Sequence, residues 1–467
     1  MIDAPSGVEA TPPTPRPIGR LLRVGLVLLI TLVALEAMSV ATVMPVVEQD
    51  LGDLALYGWT FSAFFLGGLV GVVVASSAAD RMAPWLPVAS AIVVFVAGLT
   101  VAGLAPSMLV LVMGRALQGL GAGALPAVAF VCVGRAVPAP ERPRVLAWMS
   151  SAWMIPSVAG PLLAAWVAES IGWRWVFLGL LPLCAVIGPL VVIGIRAVPA
   201  PPDDSSPRNI GGALAVAFGA GVVLAGLGAG QWWLFLPGVA VGLTVLVPAF
   251  RRLTPVGTLR ATVGLPATVA SRGLLGMAYH AVDAYVPFAV TTVRGAEPIV
   301  GGLALLTASG TWTVASWVQV RLIGSTGAVR LVRIGFSLMA VGSVLMVAVL
   351  VPSVPVWTAL VAWGIGGFGI GLAWAPITQT GLSAAAHGQE GKITTSLQLA
   401  DMLGIALGTG VAGTVLSTLS ESTGSDVPGL VVTFGAGGAI ALLGATLAAR
   451  LGSARPSEVE IGLAGGH

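Results

Sequence analysis

The chain has 467 residues, of which 57% are hydrophobic and only 9% charged. A soluble domain needs about 25% charged residues to keep its surface hydrated, so a soluble globular enzyme is excluded and lipid is the expected solvent. A net charge of +3 is too small to suggest nucleic acid as a partner, and the two cysteines, Cys132 and Cys184, fall in apolar runs at different depths, which argues against a disulfide or a cysteine metal site.

In chain order, residues 1–23 are expected to be a tail, polar and proline-rich over 1–20, and no cleavable signal peptide is expected there. A helix needs about 20 apolar residues to cross the hydrocarbon core. Six such runs follow, near 24–46, 58–79, 86–105, 108–132, 145–167 and 175–195. A polar linker, 197–210, leads to two closely spaced runs at 211–229 and 232–250. Six more lie near 264–290, 299–321, 331–351, 355–377, 393–417 and 428–449, before a tail at 451–467. The expected fold is an all-α polytopic membrane protein with six-helix bundles at 24–196 and 251–450 and two additional helices at 211–250. Those two contain no charge, only Gln231 between them, so they are expected at the periphery.

Arginine placement orients the spans. With the N-terminus inside, 18 of the 22 basic residues fall in inner loops or tails, among them Arg23, Arg81, Arg135, Arg196, Arg330 and the sole lysine, Lys392. Only Arg174 and Arg294 fall outside, and Arg115 and Arg272 lie within spans. Both termini are therefore expected in the cytoplasm. A six-plus-six plan places the substrate path at the midplane between halves.

Several segments resemble one family. Leu35-Glu36-Ala37-Met38-Ser39-Val40-Ala41-Thr42-Val43-Met44-Pro45 is similar to the first-span signature of drug:proton antiporters of the major facilitator superfamily. Arg115-Ala-Leu-Gln118-Gly119-Leu-Gly121-Ala122 matches that superfamily's R-x-x-Q-G-x-G-A motif, and Gly160-Pro161 forms the core of the antiporter motif in span 5. Trp173-Arg174-Trp175-Val176-Phe177 looks like the W-R-W-x-F segment. Two extra central spans suit the fourteen-span branch. The resemblance implies the major facilitator fold, alternating access, proton-coupled export, a location in the cytoplasmic membrane, a monomer and no cofactor. It also departs from the family pattern. The gating loop after span 2 keeps Asp80 and Arg81 but loses both glycines and the basic pair, two glycines of the antiporter motif are Ala164 and Ala165, and Asp401 stands where the span 13 motif has arginine.

Candidate functional residues follow from charge in lipid. Glu36 sits near the middle of span 1, where a carboxylate costs a few kcal/mol, and lipid penalises the charged form of an acid that must give up and regain a proton. Arg115, about 11 Å deep in span 4, is its expected counter-charge, against a role limited to helix packing. Tyr279, His280 and Asp283 fall on neighbouring faces of span 9. That spacing suggests a His–carboxylate pair, either a second protonation site or cation contact, or a purely structural bond. Asp401 either faces the path or pairs with an inner-loop arginine. Trp148, Trp153, Trp363 and Trp374 lie inside spans, where they stack on a ligand or pack helices. Trp59, Trp173, Trp175, Trp232, Trp233 and Trp357 fit the aromatic belt.

Three scattered histidines make no metal site, and no Walker sequence is present. The leading expectation is a proton-driven exporter of hydrophobic or cationic amphipathic compounds. The alternatives are a dedicated exporter of one lipid, siderophore or secondary metabolite, and an intramembrane enzyme using His280 and Asp283.

Overall fold

The computed structural model describes residues 20–137, 154–196, 210–229, 231–384 and 390–451, with single residues between 141 and 152 and residue 198. Among them the chain is helical with no strand. The first four helices are α1 (Arg20–Leu51), α2 (Leu54–Ala79), α3 (Trp85–Gly103) and α4 (Met108–Ala136). Next come α5 (Met154–Ser170), α6 (Arg174–Ile195), α7 (Ile210–Leu227) and α8 (Trp232–Leu253). The remainder are α9 (Leu265–Asp283), α10 (Pro298–Thr326), α11 (Ala328–Val349), α12 (Thr358–Ser383), α13 (Glu390–Thr423) and α14 (Val427–Leu447). Twelve helices among the described residues are long and apolar enough to cross a membrane. The other two, α5 and α9, occupy the places of spans 5 and 9.

Span 9 differs from the sequence expectation. The run near 264–290 is broken after Asp283, followed by a short helix at Val286–Phe288 and a π-helical turn at Ala289–Val293. Pro287 explains the break, because it supplies no N–H and restricts the residue before it. Arg294 then ties this corner to the α11–α12 loop, donating to the carbonyls of Val349 and, at 2.7 Å, Val354.

Helices α1–α6 pack mainly among themselves, as do α9–α14. Small residues set the closest approaches, since van der Waals contact rather than hydrophobic exclusion holds helices together in lipid. Gly119 is the clearest case: a Cβ there would stand 1.9 Å from the Phe64 carbonyl oxygen, so α2 and α4 meet backbone to backbone. The two groups of helices meet chiefly along α2–α13 and α5–α10. At the arginine-poor face that seam is closed. Gly58 lies against Gly413, Ser62 Oγ donates to the Ala406 carbonyl at 2.7 Å, and Tyr57 packs on Tyr285 and Phe288 with centroids 5.3 Å away in both cases. Helix α7 rests on α2 and α13 from outside, and α8 packs on α7, with residues 233–237 exposed.

Candidate functional site

The first polar centre joins α1 to α4. Glu36 is fully buried and Arg115 is 2% exposed. The Arg115 Nη1 donates to Glu36 Oε1 and, at 3.1 Å, to Gln118 Oε1. Gln118 Nε2 in turn donates to Glu36 Oε1 at 3.3 Å. Arg115 is anchored by a 3.1 Å bond from Nε to the Thr60 carbonyl and lies 4.2 Å from the Phe64 ring centroid. One turn separates Arg115 from Gln118, which is why both reach the same carboxylate. All contacts converge on Oε1, and Glu36 Oε2 has no hydrogen-bond partner. Pairing of Glu36 with Arg115 is thus observed. Gln118, read from sequence as a motif residue, also belongs to this centre. Thr60 and Phe64 carried no signal, because one contributes a backbone carbonyl and the other an ordinary core ring.

The second centre joins α9, α12 and α13. Arg272 Nε lies 3.4 Å from Asp401 Oδ1, and both residues are buried. That distance makes an ion pair without hydrogen-bond geometry, so neither atom has a hydrogen-bond partner. Arg272 Nη1 donates to Thr378 Oγ1 at 3.1 Å, and its guanidinium lies 3.1 Å from a Trp374 ring centroid. Asp401 therefore pairs with an arginine inside the span 9 helix, and not with an inner-loop arginine. Gly276 makes room for it: a Cβ at that position would meet Asp401 Oδ1 at 2.7 Å.

His280 and Asp283 do not pair, which corrects the expectation drawn from their spacing. The His280 ring bonds through Nδ1 to the Gly276 carbonyl at 3.0 Å, one turn earlier, and lies edge-on to Phe65 across the seam. Asp283 instead accepts a 2.7 Å bond from Trp363 Nε1 on α12, and Trp363 stacks on Tyr279 at 4.9 Å. Tyr279, Asp283 and Trp363 are thus brought together, away from Glu36's hydrogen-bond network. Trp153 lies outside the described residues. Glu36 with Arg115 and Asp401 with Arg272 thus form two ion pairs, and Asp283 is in neither.

The motif residues have local tasks. Asp80, ending α2, accepts from Arg135 Nη2 at 3.3 Å, and Arg135 Nη1 donates to the Ala79 carbonyl, binding the C-terminal ends of α2 and α4. Arg81 is exposed. Gly160 and Pro161 lie where α5 meets α1 and α10: Gly160 abuts Met38, and the Pro161 carbonyl abuts Gly302. At the opposite face, Asp50 accepts from Trp173 Nε1 at 3.0 Å and from Arg174 at 2.8 Å, which accounts for the W-R-W segment as a tie between α1 and α6. No group of three or more His, Cys, Asp or Glu residues able to hold a metal occurs among the described residues.

The Major Facilitator Superfamily pattern matches residues 26–409. The chain belongs to that superfamily. An uncharacterised transporter of this type from Mycobacterium tuberculosis is 26% identical over 424 residues, covering 88% of this chain and 61% of its own length, so this chain spans less than two thirds of that relative. A probable multidrug-efflux transporter from the same organism is 25% identical over 426 residues, covering 87% of this chain and 89% of its own. The POT family transporter PepTSo superposes with a TM-score of 0.68 over 94% of this chain and 98% of its own, at 13% identity, a likeness of fold alone. The curated relatives that this chain resembles are named as transporters, and His280 and Asp283 each bond elsewhere, which removes the reading of the two as an intramembrane catalytic pair.

Proposed function

We propose that this transporter is a proton-driven exporter of hydrophobic or cationic amphipathic compounds, of the fourteen-span drug:proton antiporter type. It works as a monomer in the cytoplasmic membrane with both termini inside. The observation that carries the reading is the divided Glu36 carboxylate: Oε1 is held by Arg115 and Gln118, while Oε2 is buried with no partner. A proton on Oε2 neutralises the acid and weakens its hold on Arg115, and loss of that proton restores the pair. Arginine keeps its charge throughout, so Glu36 carries the proton and Arg115 reports its state. Coupling follows if the two arrangements favour opposite openings of the path, because a proton then enters from one side and leaves on the other.

The closed seam around Gly58 and Gly413 supports an outer gate formed by α2, α13 and the corner after α9. The Asp80–Arg135 pair supports a role for the degenerate inner loop in holding α2 and α4 together, with Arg81 free to meet solvent. A growth-inhibition panel in a pump-deleted host tests the reading. Wild type is expected to raise tolerance to several chemically unrelated hydrophobic cations, and Glu36→Gln to abolish the effect at equal expression. Tolerance to a single compound points to the dedicated exporter instead, and tolerance retained by Glu36→Gln contradicts the coupling role.

A further inference from the structure

Two of the three deeply placed acids, Glu36 and Asp401, each face an arginine. Asp283 does not. Its Oδ1 accepts from the Trp363 indole at 2.7 Å, no basic side chain pairs with it among the described residues, and it remains partly accessible. An acid held by a neutral donor in a low-dielectric site is an uncompensated negative charge, and its field acts on any mobile cation that enters.

Asp283 also stands at one end of a row of rings. Trp363 stacks on Tyr279 with centroids 4.9 Å apart and planes at 23°. Tyr279 meets Trp312 edge-on at 5.7 Å, and Trp312 meets Trp374 at 5.5 Å. The Arg272 guanidinium lies over Trp374 and closes the far end. The rings come from three helices, α9, α10 and α12, and the row runs along α9 for about 16 Å, the rise of the 11 residues from Arg272 to Asp283. Trp363 and Tyr279 are sealed at 0% and 4% exposure, whereas Trp312 and Trp374 are partly open. Aromatic faces attract flat rings and cations.

We propose that the open rings of this ladder, Trp312 and Trp374, are the wall on which the flat part of a substrate lies, and that Asp283, not Glu36, receives the substrate's positive charge. The inference rests on the exporter reading and divides its labour: Glu36 with Arg115 handles the proton, and Asp283 with Trp312 sets specificity. Trp363 is a positioning residue that fixes the Asp283 carboxylate at the end of the wall.

The test is equilibrium binding to the purified full chain in lipid nanodiscs, with no proton gradient. The probes are ethidium, a planar cation, and phenanthridine, its uncharged parent ring, as competitor. Asp283→Asn is expected to weaken ethidium at least tenfold, to leave phenanthridine within about twofold, and to cost more ethidium affinity than Glu36→Gln. Trp312→Leu is expected to weaken both probes at least fivefold, while Trp312→Phe restores them. Trp317→Leu, on an exposed position of the same helix, serves as the control with unchanged binding. Phe rescue at Trp312 separates ring contact from folding. Wild-type protein that binds neither probe, Asp283→Asn that binds ethidium as tightly as wild type, or a larger ethidium loss in Glu36→Gln overturns the proposal. Because no gradient is present, a failure of Glu36→Gln to uncouple export refutes the coupling reading alone.

Discussion

Arg115→Ala is the perturbation whose cost follows most directly from the geometry. It removes the counter-charge of an acid with 0% exposure and takes the arginine donor away from Glu36 Oε1, Gln118 Oε1 and the Thr60 carbonyl, leaving Glu36 only the Gln118 amide. Breaking one side of a buried pair costs about 3–5 kcal/mol. The variant can limit that loss by protonating Glu36, which for an ordinary carboxylate at pH 7.4 costs about 4 kcal/mol, so the two routes give the same size of effect. The folded variant then holds one proton more than its unfolded chain above the ordinary carboxylate range. Its stability therefore falls as pH rises, by about 1.4 kcal/mol per unit, and recovers as pH drops. Glu36→Gln added to Arg115→Ala removes the charge that needed compensation and should return most of the loss, with the pH dependence gone. Unfolding titrations of the purified protein at pH 7.5 and 5.5 measure all three variants. An Arg115→Ala deficit that is the same at both pH values, or a double variant no more stable than the single, refutes the reasoning.

Gly119→Val should destabilise the fold by more than the usual 1–3 kcal/mol of an overpacked core, because a Cβ at that position is already 1.9 Å from the Phe64 carbonyl and helices α2 and α4 must part. Gly310→Ala, where nothing lies within 4 Å, should be nearly neutral, and thermal unfolding compares the two. Reporters fused after residues 205 and 455 should both read cytoplasmic and one within 421–426 external; an external reading at 205 breaks the span count derived from the arginines.

The helices were legible because lipid imposes one strong rule, a long apolar run for each crossing, and Pro287 broke the run predicted at 264–290. The Glu36–Arg115 pair was legible because charges in lipid are rare and each sat at a matching depth. Partners drawn from backbone and neutral side chains were not. Helical spacing put His280 and Asp283 within reach of each other, yet the Gly276 carbonyl lay nearer to the histidine and the Trp363 indole nearer to the acid. The Arg272–Asp401 pair was missed for a different reason: it depends on how α9 and α13 approach around Gly276, which no local pattern encodes. Trp312 likewise gained its place only from the packing of α10 against α9 and α12.

Counting protons moved per substrate in liposomes tests the central claim most directly. Purified protein is reconstituted with an imposed pH gradient, and substrate accumulation is followed together with the internal pH. Wild type should move substrate uphill while dissipating the gradient in a fixed ratio, and Glu36→Gln should do neither while remaining folded. Uphill transport by Glu36→Gln at the wild-type rate and with the same pH dependence would show that the proton travels by another residue.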